Sequence, residues 1–357
     1  MNKIPSPRDD LDSLDGYHSP QLDVQVKLNT NEAPFPLPSL FTQEVESEIG
    51  KFDLNRYPNL SASELCAAIA AKELLKESEV FVANGSNEII QLICLAYGGN
   101  GRSALVFEPT YAMHSQISKI TGTRVIEGFR NEEFRIDKDT ALEIITQEKP
   151  DIVFLCSPNN PTGNVEDLAL VETILSELNS TGGLLVLDEA YKEFSETSSN
   201  LAVNAESNLV FIRTFSKVWS LAGIRLGYLL APEWCIKVLR GVSLPYHLDS
   251  VKQKIGILAL KHEEEMIQRV IDTQKERKRV FEELSSLPVR VWPSEANFLL
   301  FKPEDFDAYK LWKGLLEEGI LVRDCSSWKG LDGCLRVTIG SESENNTFLT
   351  AVRKIIK

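Results

Sequence analysis

The chain has 357 residues, 43% of them hydrophobic and 25% charged, enough to build two domains or one large domain with an appendage. Its formal charge of −14 and pI near 4.9 exclude a nucleic-acid binder that relies on general basicity, because such binding rests on lysine and arginine neutralising phosphates. No uninterrupted apolar run is long enough to cross a bilayer, so no membrane partner is expected.

Residues 1–10 lack the apolar core of a secretory signal and are not the Arg-rich, acid-poor stretch of a transit peptide. The six cysteines, Cys66, Cys94, Cys156, Cys235, Cys325 and Cys334, form no C-x-x-C pair. Neither a disulfide framework nor a metal site is expected, and a reducing cytoplasm is the expected compartment.

Beyond a polar, Pro-rich arm, residues 80–231 alternate short apolar strands with helical stretches. The strands are placed at 80–83, 104–107, 124–127, 152–156, 184–187, 209–212 and 226–230. They predict an α/β fold with a seven-stranded, mostly parallel sheet covered on both faces. A helix beginning directly after Asn84-Gly85-Ser86 carries Ile89, Ile90, Leu92, Ile93 and Leu95 mostly on one side. Its free backbone N–H groups would point at any phosphate held there. Residues 262–287 read as a charged connecting helix, with Met266, Ile267, Val270, Ile271, Val280, Phe281 and Leu284 at mostly helical spacing. Strands at 289–292, 296–301, 319–323 and 334–339, with a helix near 309–317, predict a smaller α+β domain.

Three polar signatures each leave one of the predicted strands, where open α/β sheets place their ligands. Ser157-Pro158-Asn159-Asn160-Pro161-Thr162-Gly163 follows residues 152–156, and Asp188-Glu189-Ala190-Tyr191 follows 184–187. The third is Thr214-Phe215-Ser216-Lys217, with Arg225 eight residues beyond the lysine. A Schiff-base lysine whose partner is pyridoxal phosphate needs a phosphate anchor beside it, and Thr214, Ser216 and Arg225 can supply one. A carboxylate such as Asp188 keeps a pyridine nitrogen protonated, while the Asn160 amide and Tyr191 hydroxyl suit a ring phenolate oxygen. Taken singly these are a turn, a helix N-cap and a surface lysine. Their order, each at a strand end, makes the joint chemical reading the stronger one.

With these motifs the chain resembles the aminotransferases of fold type I, and within them the histidinol-phosphate aminotransferase family. The resemblance runs from Leu28-Asn29-Thr30-Asn31-Glu32-Ala33-Pro34 through Arg56-Tyr57-Pro58, Asn84-Gly85-Ser86-Asn87-Glu88 and Pro109-Thr110-Tyr111. It continues to Ala296-Asn297-Phe298, Val322-Arg323-Asp324 and Leu335-Arg336-Val337-Thr338-Ile339-Gly340. The lysine, aspartate and asparagine motifs identify the class, whereas Asn29-Thr30-Asn31-Glu32 and Val322-Arg323-Asp324 are similar to the histidinol-phosphate branch. Ala33-Pro34-Phe35-Pro36 departs from the Asn-Pro-Tyr-Gly that the family often carries there.

The resemblance implies an arm over residues 1–45 that joins the small domain, a large cofactor-binding domain over 46–245, and a connecting helix with the small domain over 246–357. It implies that Lys217 anchors pyridoxal 5'-phosphate and moves the donor's proton, and that Asp188 pairs with the ring nitrogen. Asn160 and Tyr191 would hold the ring oxygen and Tyr111 would stack on the ring. The phosphate would lie among Ser86, Asn87, Thr214, Ser216 and Arg225. Tyr57 would reach it from a neighbouring subunit, so a homodimer is expected.

Arg336 is the candidate grip for the substrate's anionic end, because a guanidinium fork binds carboxylate or phosphate bidentately. Its alternation with Leu335 and Val337 predicts a side chain leaving the face on which those two pack, where Arg323 can join it. Tyr17 and the segment Asn29 to Glu32 are implied at the substrate entrance, and His18 and His114 receive no role. The reaction expected is transfer of the amino group of L-histidinol phosphate to 2-oxoglutarate, giving glutamate. A phosphothreonine decarboxylase-like lyase and a broad aromatic or amino-acid aminotransferase are the alternatives on the same scaffold.

Overall fold

The computed structural model describes residues 5, 6, 8, 11, 16, 20–197 and 201–356. Tyr17 and His18 lie outside them. The strands in chain order are β1 (Val26–Leu28), β2 (Val80–Ala83), β3 (Ser103–Glu108), β4 (Arg124–Phe129), β5 (Ile152–Cys156), β6 (Leu184–Asp188) and β7 (Leu209–Thr214). They continue with β8 (Gly227–Leu230), β9 (Val289–Val291), β10 (Phe298–Pro303), β11 (Ile320–Asp324) and β12 (Leu335–Thr338). Seven form one sheet in the order β2-β8-β7-β6-β5-β3-β4, in which β8 alone runs antiparallel to its neighbours.

The continuous apolar runs arise because both faces of this sheet are covered. Val153, Leu155, Leu185, Leu187, Leu209 and Phe211 enter the core on one face. Their alternating neighbours Ile152, Phe154, Leu184, Val186, Val210 and Ile212 enter the core on the other. The period of two therefore survives inside each run and decides which face each residue supports.

A second sheet has the order β1-β11-β12-β10-β9. The arm supplies its edge strand, with Val26 paired to Ile320 in parallel register. Val280, Leu284, Leu311, Leu315, Phe348 and Val352 from three helices pack on one face with Leu335 and Val337. Arg336 leaves on the opposite face, as alternation predicts, directly across from Arg323 on β11 and Leu300 on β10.

Two helices pack differently from the sequence expectation. Leu95 is 51% exposed on the helix Ser86–Tyr97, which buries Ile89, Ile90, Leu92, Ile93 and Cys94 instead. On the connecting helix Glu263–Ser285 the buried stripe is Met266, Val270, Thr273, Arg277, Val280 and Leu284. This spacing of four and three follows one helical face, and Ile267 and Ile271 fall off it, at 52% and 50% exposure. Arg277 occupies the centre of the stripe because its guanidinium satisfies the carbonyls of Phe194 and Ala296.

Candidate active site

The geometry of the large sheet brings one edge of five strands together. β2, β3, β5, β6 and β7 all end there, and antiparallel β8 begins there. Ser86 and Asn87 follow β2, Tyr111 follows β3, Asn160 follows β5, Asp188 ends β6, Lys217 follows β7 and Arg225 precedes β8. These residues, with Tyr191, Thr214, Ser216 and Arg336, line one cavity of about 130 Å³. A surface groove near Phe35 and the helix Glu342–Ile356 is larger, about 830 Å³, but no lysine–aspartate–asparagine constellation opens into it.

The base of the cavity is a cup of hydrogen-bond donors. Ser86 opens the helix Ser86–Tyr97, whose first N–H groups have no intrahelical partner and favour an anion. Gly85 has φ +83°, and a Cβ on it would lie 2.7 Å from the Arg225 guanidinium. A Cβ on Gly227 would lie 2.7 Å from the Ser86 nitrogen. Side chains at these two positions would block the cup from closing. The Thr214 hydroxyl accepts from the Ser216 backbone at 3.0 Å, and Arg225 donates to the Ser216 hydroxyl at 3.3 Å.

Lys217 projects its amine to the Thr30 carbonyl at 3.1 Å and lies 5.8 Å from the centre of the Tyr191 ring. The residue as a whole is half-buried, but its amine sits within the cavity wall. Loss of hydration there, followed by repulsion from Arg336, brings the amine down to about 7, against the pull of Glu32. A neutral amine is the form that attacks a carbonyl and accepts a proton. Burial likewise pushes the Tyr191 phenol upward, so it is a hydrogen-bond donor rather than an anion.

Tyr191 is contacted from two sides, by the Asn31 amide at 3.0 Å and the Asn160 amide at 3.5 Å. Tyr111 donates to Asn87 at 3.0 Å, tying the aromatic wall to the cup. Arg336 is 5% exposed. It donates to the Asn160 side chain and, at 2.9 Å, to the Asn29 carbonyl, while its Nε has no partner among the described residues.

Of the other sequence candidates, Tyr57 is 81% exposed, stacked on Tyr246, and absent from the cavity wall of its own chain. Asn29 is buried, and its amide donates to the Pro20 carbonyl. Its backbone carbonyl, with Thr30 and Asn31, forms a strap that reaches Arg336, Lys217 and Tyr191. Arg323, 8% exposed, lies beside Trp328 rather than on the cavity wall.

Sequence reasoning missed two residues, His114 and Trp328. His114 is fully buried, its Nε2 donating to Asp188 at 3.0 Å, and its ring stacks on Phe154 at 4.7 Å. One helical turn from the motif residue Tyr111, it carried a weak signal that no local pattern could decide. Asn31, inside the 29–32 segment expected at the substrate entrance, reaches Tyr191 across 160 positions of sequence. Trp328 enters the cavity wall from the loop after β11.

The family model described as aminotransferase class I and II matches residues 23–352. The chain belongs to the class I and II aminotransferases. A histidinol-phosphate aminotransferase of Corynebacterium diphtheriae is 40% identical over 366 residues, covering 99% of this chain and 97% of that protein. The solved histidinol-phosphate aminotransferase from Clostridium acetobutylicum matches with a TM-score of 0.85 at 26% identity, over 92% of this chain and 98% of that one. The enzyme from Sinorhizobium meliloti, solved in complex with pyridoxal-5'-phosphate, has a TM-score of 0.88 at 19% identity, over 99% and 98% of the two chains; this likeness speaks for a shared fold.

As an aminotransferase of this family the protein uses pyridoxal 5'-phosphate, and its residues fit that group. The glycine-shaped cup matches a phosphate, the lowered amine of Lys217 a carbonyl carbon, and the buried Asp188 a ring nitrogen. Among the described residues no helix is long and apolar enough to cross a membrane.

Proposed function

We propose that this aminotransferase moves the amino group of L-histidinol phosphate to 2-oxoglutarate, giving imidazole acetol phosphate and glutamate in histidine biosynthesis. The observation that carries the reading is Arg336 on the cavity wall with Lys217, backed by Arg323, which stands opposite it in register on the neighbouring strand and beside Trp328. Histidinol phosphate has no α-carboxylate, so its phosphate must occupy the place a carboxylate takes in other donors. A dianion gains more from a second cation than a carboxylate does, and the guanidinium fork pairs with either. The names of the full-length relatives support the same donor.

Pyridoxal 5'-phosphate, when bound, supplies the electron sink for charge left on the donor carbon. Lys217 would anchor it, and the same amine would hold and move the proton of the donor carbon. Asp188 would hold the ring-nitrogen proton, and His114 orients that carboxylate. Asn160 and Tyr191 would donate to the ring oxygen, and Tyr111 would cover the ring face. Ser86, Asn87, Thr214, Ser216 and Arg225 would hold the phosphate.

Tyr57 serves the site of a second copy. Its exposure beside Tyr246 supports a homodimer. A reducing cytoplasm is the proposed compartment, in keeping with the six free, buried cysteines.

The test is to incubate the holoenzyme and 2-oxoglutarate with L-histidinol phosphate, phenylalanine, leucine or phosphothreonine in turn. Glutamate should form fastest with histidinol phosphate. Carbon dioxide from phosphothreonine, without glutamate, would transfer the protein to the lyase alternative.

A further inference from the structure

Trp328 stands at the anionic end of the cavity, where its indole forms part of the wall shared with Arg336 and Lys217. Behind it, the Arg323 guanidinium lies 5.5 Å from the ring centre. Arg323 is 8% exposed and Arg336 5%, and the two pair across neighbouring strands. Two buried cations on directly opposed strand positions repel, so each needs surroundings that lower the cost of its charge. An aromatic face does this for a guanidinium and fixes the plane of its fork.

The indole is held from behind. Trp328 packs against a small cluster containing Phe134, Trp292, Leu300, Cys325 and Leu331. Its backbone nitrogen donates to the Cys325 carbonyl at 2.9 Å and its carbonyl accepts from Leu331 at 3.1 Å. At Gly330, with φ +70°, the loop approaches Pro109, just before Tyr111. The ring is therefore placed by both the small sheet and the loop that carries the aromatic wall of the site.

We propose that Trp328 is a specificity-determining residue: it lines the cavity with Arg336 and holds Arg323 behind it, so that the field of this second cation favours a phosphorylated donor. With the indole in place, Arg323 keeps a fixed orientation beside Arg336, and the anionic end takes a dianion in preference to a carboxylate. Without it, Arg323 gains room and loses its stacking partner, and the preference shrinks. This inference rests on the phosphorylated-donor reading.

The experiment measures kcat and KM of the holoenzyme for L-histidinol phosphate and for phenylalanine, in wild type, Trp328→Leu and Trp328→Phe. The ratio of kcat/KM between the two donors should fall about tenfold in Trp328→Leu, chiefly through the KM for histidinol phosphate. Trp328→Phe, which keeps an aromatic face, should retain most of the ratio. Inorganic phosphate should also inhibit phenylalanine turnover about tenfold less effectively in Trp328→Leu than in wild type. A wild-type preference for histidinol phosphate that survives unchanged in Trp328→Leu, with phosphate inhibition also unchanged, overturns the role of Trp328 and leaves the donor reading standing. No preference in wild type overturns both.

Discussion

At the residue scale the chemistry converges on Lys217 and Asp188. Because burial and Arg336 depress the Lys217 amine to about 7, its reactive neutral form grows as pH rises through that value. Uptake of pyridoxal 5'-phosphate by the cofactor-free protein should therefore accelerate through about pH 7 and level off above it. Arg336→Leu should move the midpoint upward, since removing a neighbouring cation relieves part of the depression. Stopped-flow absorbance at a series of pH values reads both, and a midpoint unmoved by the substitution contradicts the electrostatic account. Borohydride reduction of the holoenzyme followed by peptide mapping should place the label on Lys217 and on no other lysine. Asp188→Asn should keep the cofactor bound yet slow single-turnover proton transfer by on the order of a hundredfold, because the lost charge matters mainly in the transition state. His114→Asn should slow the same step by about tenfold, the cost of a buried carboxylate losing a hydrogen bond. A His114→Asn rate equal to wild type would reduce that contact to packing.

At the element scale, much of the fold was legible because buried strands declare themselves as short apolar runs. The runs behind Asn160, Asp188 and Lys217 needed only a parallel sheet to bring their ends together. β1 escaped notice, although Val24-Gln25-Val26-Lys27-Leu28 alternates, because a three-residue edge strand is too short to stand out within a polar arm. Ile267 and Ile271 misled for the opposite reason: apolar character places a residue on a helix without saying which stripe meets the core. His114 and Trp328 were illegible because their roles come from Asp188 and Arg323, which only tertiary structure brings near. The facing strands β11 and β12 carry their own prediction. Arg336→Lys should damage both half-reactions, since a point charge loses bidentate geometry. Arg323→Ala should weaken the phosphorylated donor more than 2-oxoglutarate. Separate half-reaction kinetics check this, and equal losses in Arg323→Ala would remove the reason for a two-arginine phosphate site.

At the scale of the whole molecule, the role proposed for Tyr57 would link the site to assembly. A tyrosine 81% exposed on its own chain acts on the cofactor only if another subunit brings it there. Mixing Lys217→Ala with Tyr57→Ala subunits after dissociation should restore activity at limiting cofactor. The mixed dimer then holds one site with an intact lysine and an intact partner tyrosine. No recovery would place Tyr57 outside the shared site. The central claim, however, is that the two arginines select a phosphorylated donor, and L-histidinol tests it by removing the phosphate alone. The account predicts that kcat/KM for L-histidinol phosphate exceeds that for L-histidinol by at least about a hundredfold, the worth of two charge-assisted contacts. Comparable values for the two compounds would contradict it.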